Sequence, residues 1–262
     1  MNFVTVNCGT NELTNLTVQT IFKFHPHATV FIVDVPNGRG LFSLMDNRFR
    51  NQVHVINGIP WNRTSLPTIN IDTLDYLTPG QKARAKAILG NPYKVICRCG
   101  FNHQENIQLA VNVIGENFVL MDSDAPLIHP IDFIDDNYIT VADIASENTT
   151  NTPRKFLSDH FIRFVPFVQY LNVKMMKENG VVYSDNPNLH KYLDIARVSR
   201  TPTEASLWVE TGSVFFKEVD SRKLPWKKID WKNYVEHLGA ASYRKNESER
   251  AEFIKRFKTH MQ

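Results

Sequence analysis

The sequence predicts an α/β protein built on a parallel sheet, and three observations predict it. The chain opens on an alternating apolar stretch, an amphipathic helix pattern and a second apolar stretch rich in β-branched residues. A further unit of helix pattern, glycine and apolar run occupies residues 101–124, and between the two lies a helix start at Thr78-Pro79-Gly80-Gln81. Elements that alternate in this way pack as parallel strands with helices on the sheet faces, because a crossover between parallel strands needs a helix-length connection.

Phe3 to Val6 alternates and stops at Asn7-Cys8-Gly9-Thr10, so it reads as a strand running into a loop. Thr10 or Asn11 caps a helix to about Lys23, with Leu13, Leu16, Val18, Ile21 and Phe22 as its apolar face and Pro26 beyond its end. Thr29-Val30-Phe31-Ile32-Val33 suits a strand buried on both faces, ending in Asp34 and a Pro36-Asn37-Gly38 turn. Thr78 as cap, Pro79 at the first helical position and Gln81 at the capping-box position open the next helix, which Gly90 closes. Tyr93 to Cys97 is the strand that follows. The helix from about Asn102 carries Ile107, Leu109, Ala110, Val111, Val113 and Ile114 and stops at Gly115. After about Pro130 the alternation fades. Phe161 to Met176 is apolar but carries Pro166, which predicts a kinked or interrupted helix. A last helix, about Ser248 to His260, carries Phe253, Ile254 and Phe257 for docking on the body, and the mixed charges from Arg244 to Lys258 read as its solvated face.

At 262 residues and 42% hydrophobic, the chain is long enough for a sizeable core, and a formal charge of +3 is too mild to imply nucleic acid. Cys8, Cys97 and Cys99 form no disulfide framework, and no basic segment followed by an apolar run opens the chain, so a reducing, cytoplasmic location is expected. No apolar stretch reaches the roughly 18 to 20 residues of a spanning helix, so any membrane association is expected to be peripheral, at the cytoplasmic face, or through partners. Cys97-x-Cys99-x-x-x-His103 lacks both a fourth ligand and the usual Cys-x-x-Cys spacing of a zinc site.

The most informative stretch is Phe118-Val119-Leu120-Met121-Asp122-Ser123-Asp124, an apolar run ending in two carboxylates separated by one residue. Carboxylates at i and i+2 of a strand share a side, and a turn at the strand end also converges them on one cation. A hard divalent ion such as Mg²⁺ or Mn²⁺ prefers oxygen ligands and keeps positions open for phosphates. In an open α/β sheet ligands sit outside the carboxyl ends of the strands, which is where this pair falls.

Together the strand Val4-Thr5-Val6-Asn7, the strand ending Val33-Asp34, the helix NHQENIQLAV and the run FVLMDSDAPL resemble the glycosyltransferases of the GT-A fold, in particular the inverting group called family 2. The resemblance implies a Rossmann-like fold with a mixed, mainly parallel sheet flanked by helices. It also implies one continuous domain, with a nucleotide-sugar-binding half over 1–130 and an acceptor-binding half with a C-terminal helix over 131–262. By that resemblance Asp122 and Asp124 hold Mn²⁺ or Mg²⁺ against the diphosphate of a UDP- or GDP-sugar. Asp34 recognises the base or ribose, Asn7 lines the same pocket, and Asp122 also faces the ribose or donor sugar. His237, in Glu236-His237-Leu238-Gly239-Ala240-Ala241-Ser242, resembles a histidine that completes the metal site, and His103 approaches the phosphates or donor sugar. The run after Asp34 departs from the family's pattern, as do the roughly 45 residues before NHQENIQ.

Such an enzyme, a hexosyltransferase by type, moves a sugar with inversion to a hydroxyl of a glycan, polysaccharide or glycoconjugate, and needs a carboxylate base for that hydroxyl. Glu210, in Trp208-Val209-Glu210-Thr211-Gly212, is the first candidate, followed by Asp185 and Glu204, with Trp208 and Trp226 as sugar platforms. Two alternatives stand beside this reading. One is a haloacid-dehalogenase-like phosphatase, which needs a downstream Lys and a second acidic pair, for which Asp135-Asp136 comes early. The other is a non-catalytic nucleotide-sugar-binding protein on the same scaffold.

Overall fold

The computed structural model describes residues 1–36, 41–60, 69–90, 92, 96–97, 100–148, 157–158, 160–200, 205–238 and 247–261. In chain order the elements are β1 (Asn2–Asn7), α1 (Asn11–Phe24), β2 (Thr29–Asp34), β3 (Val53–Asn57), α2 (Pro79–Leu89), β4 (Ile96–Cys97), α3 (Gly100–Ile114), β5 (Phe118–Asp122), β6 (Thr140–Asn148), β7 (His160–Leu171), α4 (Val173–Glu178), β8 (Arg197–Arg200), β9 (Ala205–Trp208), α5 (Ser213–Ser221), β10 (Trp226–Lys228) and α6 (Glu247–Met261).

β1 is central because it is apolar on both faces. Its alternation sends Val4 and Val6 to the side packed by Ile107, Ala110 and Val111 of α3, and Phe3 to the side packed by Val18, Ile21 and Phe22 of α1. Each such side chain, fully buried, contributes about 1.5–3 kcal/mol relative to exposure. The sheet runs β10-β6-β7-β5-β1-β2-β3. β3, β2, β1 and β5 are parallel, as are β10 and β6, and β7 lies antiparallel between β5 and β6. The fold is therefore α/β with a mixed, mainly parallel sheet flanked by helices, the class expected. The register Asn7↔Asp34 and Val6↔Asp122 sets the ends of β2, β1 and β5 side by side at one edge.

Helix ends follow the sequence closely. Thr78 and Gln81 exchange both bonds of the capping box, and Gly90 closes α2 with φ 87°. Thr10 precedes α1 without capping it through its side chain; Asn7 Oδ1 does so instead, accepting from the backbone N–H of Thr10 at 3.2 Å and from the hydroxyl of Thr14 at 2.9 Å. α6 docks on α1 as expected, with Phe253 and Phe257 buried against Leu13 and Leu16 and Ile254 beside them. No helix among the described residues is long and apolar enough to cross a membrane.

The second half corrects the sequence reading at several points. Phe161 to Met176 is not a kinked helix but mostly β7, followed by α4. Pro166 is tolerated there because β6 pairing jumps from Ala142↔Gln169 to Ile144↔Phe164, while β5 pairing begins only at Met121↔Val168. A proline in that bulge removes no ladder hydrogen bond. The strand ending at Cys97 joins a separate three-stranded sheet, β4-β9-β8, and β3 takes the edge position of the main sheet. β3 (Val-His-Val-Ile-Asn) is half exposed and too short to give a pattern, and β6 and β10 likewise carry polar ends. The Pro36-Asn37-Gly38 turn and the start of the strand at Tyr93 lie outside the described residues, apart from Pro36.

α5 is packed against β7 at one tight point. Gly212 has φ 87°, and a Cβ there would stand 2.2 Å from the carbonyl oxygen of Phe164. Gly212→Ala is expected to lower unfolding stability by more than about 2 kcal/mol, since the left-handed backbone alone costs about 1–2 kcal/mol and the clash is with backbone. Gly80, in the first turn of α2, has nothing within 4 Å of such a Cβ. Gly80→Ala should instead be neutral or stabilising by about 0.5–1 kcal/mol, and urea unfolding of the two variants checks the contrast.

Candidate metal centre

β5 carries Val119, Leu120 and Met121 into the core and delivers Asp122 at the sheet edge. The chain then turns tightly, the N–H of Ala125 bonding to the carbonyl of Asp122 at 3.1 Å. Ser123 at the apex is tied to α1: its carbonyl accepts from Thr17 Oγ1 at 3.0 Å and its hydroxyl meets Thr10 Oγ1 at 3.2 Å. The turn thus points Asp122 and Asp124 inward from both ends. The segment 234–238 lies alongside it, through Ile128 N–H to Tyr234 O (2.8 Å), Glu236 N–H to Pro126 O (3.1 Å) and Leu238 N–H to Asp124 O (3.3 Å). That seam brings in His237, whose ring stacks on Phe167 with centroids 3.7 Å apart and meets the edge of Trp231.

The result is a cluster in which one ligand atom each of Asp122, Asp124 and His237 lies within 4.8 Å of the others. His237 Nε2 stands 3.2 Å from Asp124 Oδ1 and 3.8 Å from Asp122 Oδ2. The side chains of His237 and Asp124 are 7% and 8% exposed, and that of Asp122 keeps 16%, so the centre opens on the Asp122 side. It is the one cluster of this kind among the described residues.

Burial is the largest influence on the Asp122 carboxyl and pushes its pKa up, reinforced by the charge of Asp124 and opposed by His103, His237 and Arg163. For His237, burial is again the largest single influence and lowers the pKa, but the hydrogen bond and charge of Asp124, with Asp122 behind it, outweigh burial together and raise it. Two carboxylates and an imidazole supply two oxygen donors and one nitrogen donor, which suits a divalent ion that accepts both, Mn²⁺ more readily than Mg²⁺. The fit is good: the donors converge, and their own charges call for a cation.

The surroundings include His103, which the sequence also names, and Arg163 and Thr211, which it does not single out. His103, in the first turn of α3, has Nε2 3.7 Å from Asp122 Oδ1 and Nδ1 3.1 Å from Thr211 Oγ1. Arg163 of β7 donates through Nη1 to the carbonyl of Thr211 at 3.0 Å. The signal available in the sequence was a charged residue inside the apolar run Phe161-Ile162-Arg163-Phe164-Val165. Asn7 donates to Asp34 Oδ1 at 2.8 Å, and Asp34 Oδ2 accepts the N–H of Phe42 at 2.7 Å. Asn7 is fully buried, so what it does at the sheet edge is cap α1 and orient Asp34.

The base candidates separate. Glu210 adjoins Thr211, which contacts both Arg163 and His103, and its Oε1 is 3.3 Å from Arg197 Nη2. Asp185 accepts from Asn188 Nδ2 at 2.8 Å and lies 3.8 Å from Lys191 Nζ, with no contact to the metal cluster among the described residues. Trp226 is half-buried and packs edge-on against Phe164 at 5.3 Å and Phe216 at 6.4 Å, which makes it part of the aromatic core rather than an open platform. Glu204, Cys99, Gly239 to Ser242 and the side chains of Cys97 and Trp208 lie outside the described residues. The acidic pair considered for a phosphatase is engaged elsewhere, Asp136 by Tyr170 and Asn117 and Asp135 by Lys227.

No protein-family model matches the chain, and no curated protein sequence does. Among solved structures it is similar to the galactosyltransferase LgtC in complex with donor and acceptor sugar analogues, at 8% identity and a TM-score of 0.34, over 68% of this chain and 60% of that one. An active-site mutant of LgtC matches at 10% identity and a TM-score of 0.31, over 68% and 59%. A nucleoside-diphosphate-sugar pyrophosphorylase from Vibrio cholerae RC9 matches at 8% identity and a TM-score of 0.41, over 97% of this chain and 100% of that one. The chain spans about 60% of the length of the galactosyltransferase chains.

The charge arrangement predicts a pH dependence of the metal-free protein. A histidine whose folded pKa is raised contributes stability fully present below its ordinary value of 6.5 and lost as pH rises through the folded value, and the raised Asp122 acts in the same sense above 3.8. The urea midpoint of metal-free protein should therefore fall from about pH 6 to about pH 9. His237→Gln should flatten that slope, and saturating Mn²⁺ should reverse it, because ligation needs the deprotonated groups.

Proposed function

We propose that the chain is a metal-dependent glycosyltransferase that moves a hexose from a nucleotide-diphosphate sugar, a UDP- or GDP-sugar, to a hydroxyl of a glycan, polysaccharide or glycoconjugate. The observation that carries the reading is the convergence of Asp122, Asp124 and His237 at the carboxyl ends of parallel strands, beside a buried Asp34. On this reading Asp34, oriented by Asn7, would meet the nucleoside, and Asp122 and Asp124 would face its diphosphate. The GT-A resemblance of the sequence assigns the same groups to the same parts of a donor.

Asp122, Asp124 and His237 would hold the cation, Mn²⁺ or Mg²⁺. When bound, it offsets the charge that develops on the diphosphate oxygens as the sugar departs. The remaining work falls to the chain. Glu210 takes the proton of the acceptor hydroxyl as that oxygen bonds to the anomeric carbon, and the bond from that carbon to the diphosphate oxygen breaks with its electron pair leaving on the nucleoside diphosphate. Attack opposite the leaving group inverts the anomeric centre. His103, 3.7 Å from Asp122, would approach the phosphates or donor sugar. The second half of the chain, over 131–262, supplies the acceptor wall. The cysteine usage supports a cytoplasmic setting for the reaction, or one at the cytoplasmic face of a membrane.

A panel of nucleotide sugars with Mn²⁺ tests this. One donor should stabilise the protein by about 2.7 kcal/mol at a hundredfold excess over its Kd, and should yield sugar transfer or slow release to water. Asp124→Ala should lose the Mn²⁺-dependent stabilisation and lower turnover at least about 100-fold. Phosphomonoester hydrolysis without sugar release would sink the transferase reading in favour of a phosphatase. Tight nucleoside diphosphate binding without any turnover would instead mark a non-catalytic binding protein.

A further inference from the structure

We infer that Thr211 is a positioning residue, clamped by Arg163 and His103 so that the carboxylate of Glu210 keeps a fixed place relative to the Asp122, Asp124 and His237 centre. The inference rests on the transferase reading with Glu210 as base. Both neighbours of Glu210 are held by side chains from other elements. On one side, Gln104 Nε2 donates to the carbonyl of Val209 at 3.0 Å. On the other, Arg163 holds the carbonyl of Thr211 at 3.0 Å and His103 Nδ1 meets its hydroxyl at 3.1 Å. The two ring nitrogens of His103 thus face different partners, Nδ1 the Thr211 hydroxyl at 3.1 Å and Nε2 the Asp122 carboxylate at 3.7 Å.

Two of these holding residues, His103 and Gln104, are consecutive in the first turn of α3, the helix that leads directly into β5 and Asp122. One rigid unit therefore carries both a metal-site carboxylate and the grip on the Glu210 segment. Gly212 seals the other end, because it lies on the Phe164 carbonyl with no room for a Cβ, and Phe164 is the neighbour of Arg163. Glu210 itself is steadied by Arg197 and through its carbonyl, which accepts the N–H of Ser213 at 3.1 Å. A half-buried arginine spent on a neutral backbone carbonyl makes sense here because its charge also sits near Asp122, and its planar fork fixes direction where a flexible ammonium would not. The arrangement is that of a positioning shell, in which small displacements cost rate rather than affinity.

The test is a kinetic comparison of Thr211→Val, Arg163→Met and Arg163→Lys in the full chain, with melting temperature and Mn²⁺ affinity by electron paramagnetic resonance measured alongside. Thr211→Val keeps shape and carbonyl but loses the hydroxyl; kcat should fall about 10-fold while donor KM and Mn²⁺ Kd stay within about twofold. Arg163→Met should cost about 100-fold in kcat with donor KM within about twofold, and Arg163→Lys, which keeps the charge near Asp122, should recover part of it and hold Mn²⁺ Kd within about twofold. In a Glu210→Gln background, Thr211→Val should add no further loss, since its effect passes through Glu210. Variants with wild-type kcat, losses that appear in donor KM or Mn²⁺ Kd instead, or full additivity with Glu210→Gln would each overturn the clamp alone. A folded wild-type protein that transfers no sugar from any donor would overturn the transferase reading and the clamp with it.

Discussion

Two carboxylates share one small, largely buried space at the end of β5, and the rest of the molecule answers that constraint. Like charges with little water between them raise each other's cost of ionisation, and an uncompensated buried charge costs several kcal/mol. The compensation comes from three separate stretches of chain: His103 from α3, Arg163 from β7 and His237 from the segment after β10. None of these is near Asp122 in sequence. The fold's long-range connections, the antiparallel insertion of β7 and the seam between residues 124–128 and 234–238, are what bring them there.

The same connections explain why the site opens where it does. Parallel strands β2, β1 and β5 end together, so Asp34, Asn7 and Asp122 form a row, and helices α1 and α3 begin or end beside it. Asn7 serves three neighbours at once, the start of α1, Thr14 and Asp34, which couples the shape of the row to the capping of a helix. The turn from β9 into α5, which carries Glu210, is held by α3 and β7. A rigid floor and a clamped wall are what group transfer between two bound substrates requires.

Much of the first half was legible in the sequence because its signals are local. A capping box at Thr78, glycine stops at Gly90 and Gly115 and apolar runs of five or six residues each act within a few positions, and the structure reproduces them. The acids at Asp122 and Asp124 and the histidine at His237 were also named from sequence, and they do meet. What sequence did not reveal depends on partners far along the chain. Pro166 looked like a helix breaker because nothing local says that β6 will skip opposite it. β3 was missed because so exposed a strand takes its identity from neighbours rather than from pattern, and the sheet that β4 joins is set by its pairing with β9, far along the chain. Arg163 and Thr211 were not singled out because their significance is a hydrogen bond across 48 positions of chain.

The central claim is that these three side chains hold a divalent cation for a nucleoside diphosphate. Anomalous diffraction at the manganese edge, from crystals soaked in Mn²⁺ and a nucleoside diphosphate, tests it most directly. A manganese peak within bonding distance of Asp122 or Asp124 and of His237 Nε2, with phosphate oxygens completing its coordination, is the result expected. Manganese bound elsewhere, or a diphosphate seated away from these three residues, would contradict it.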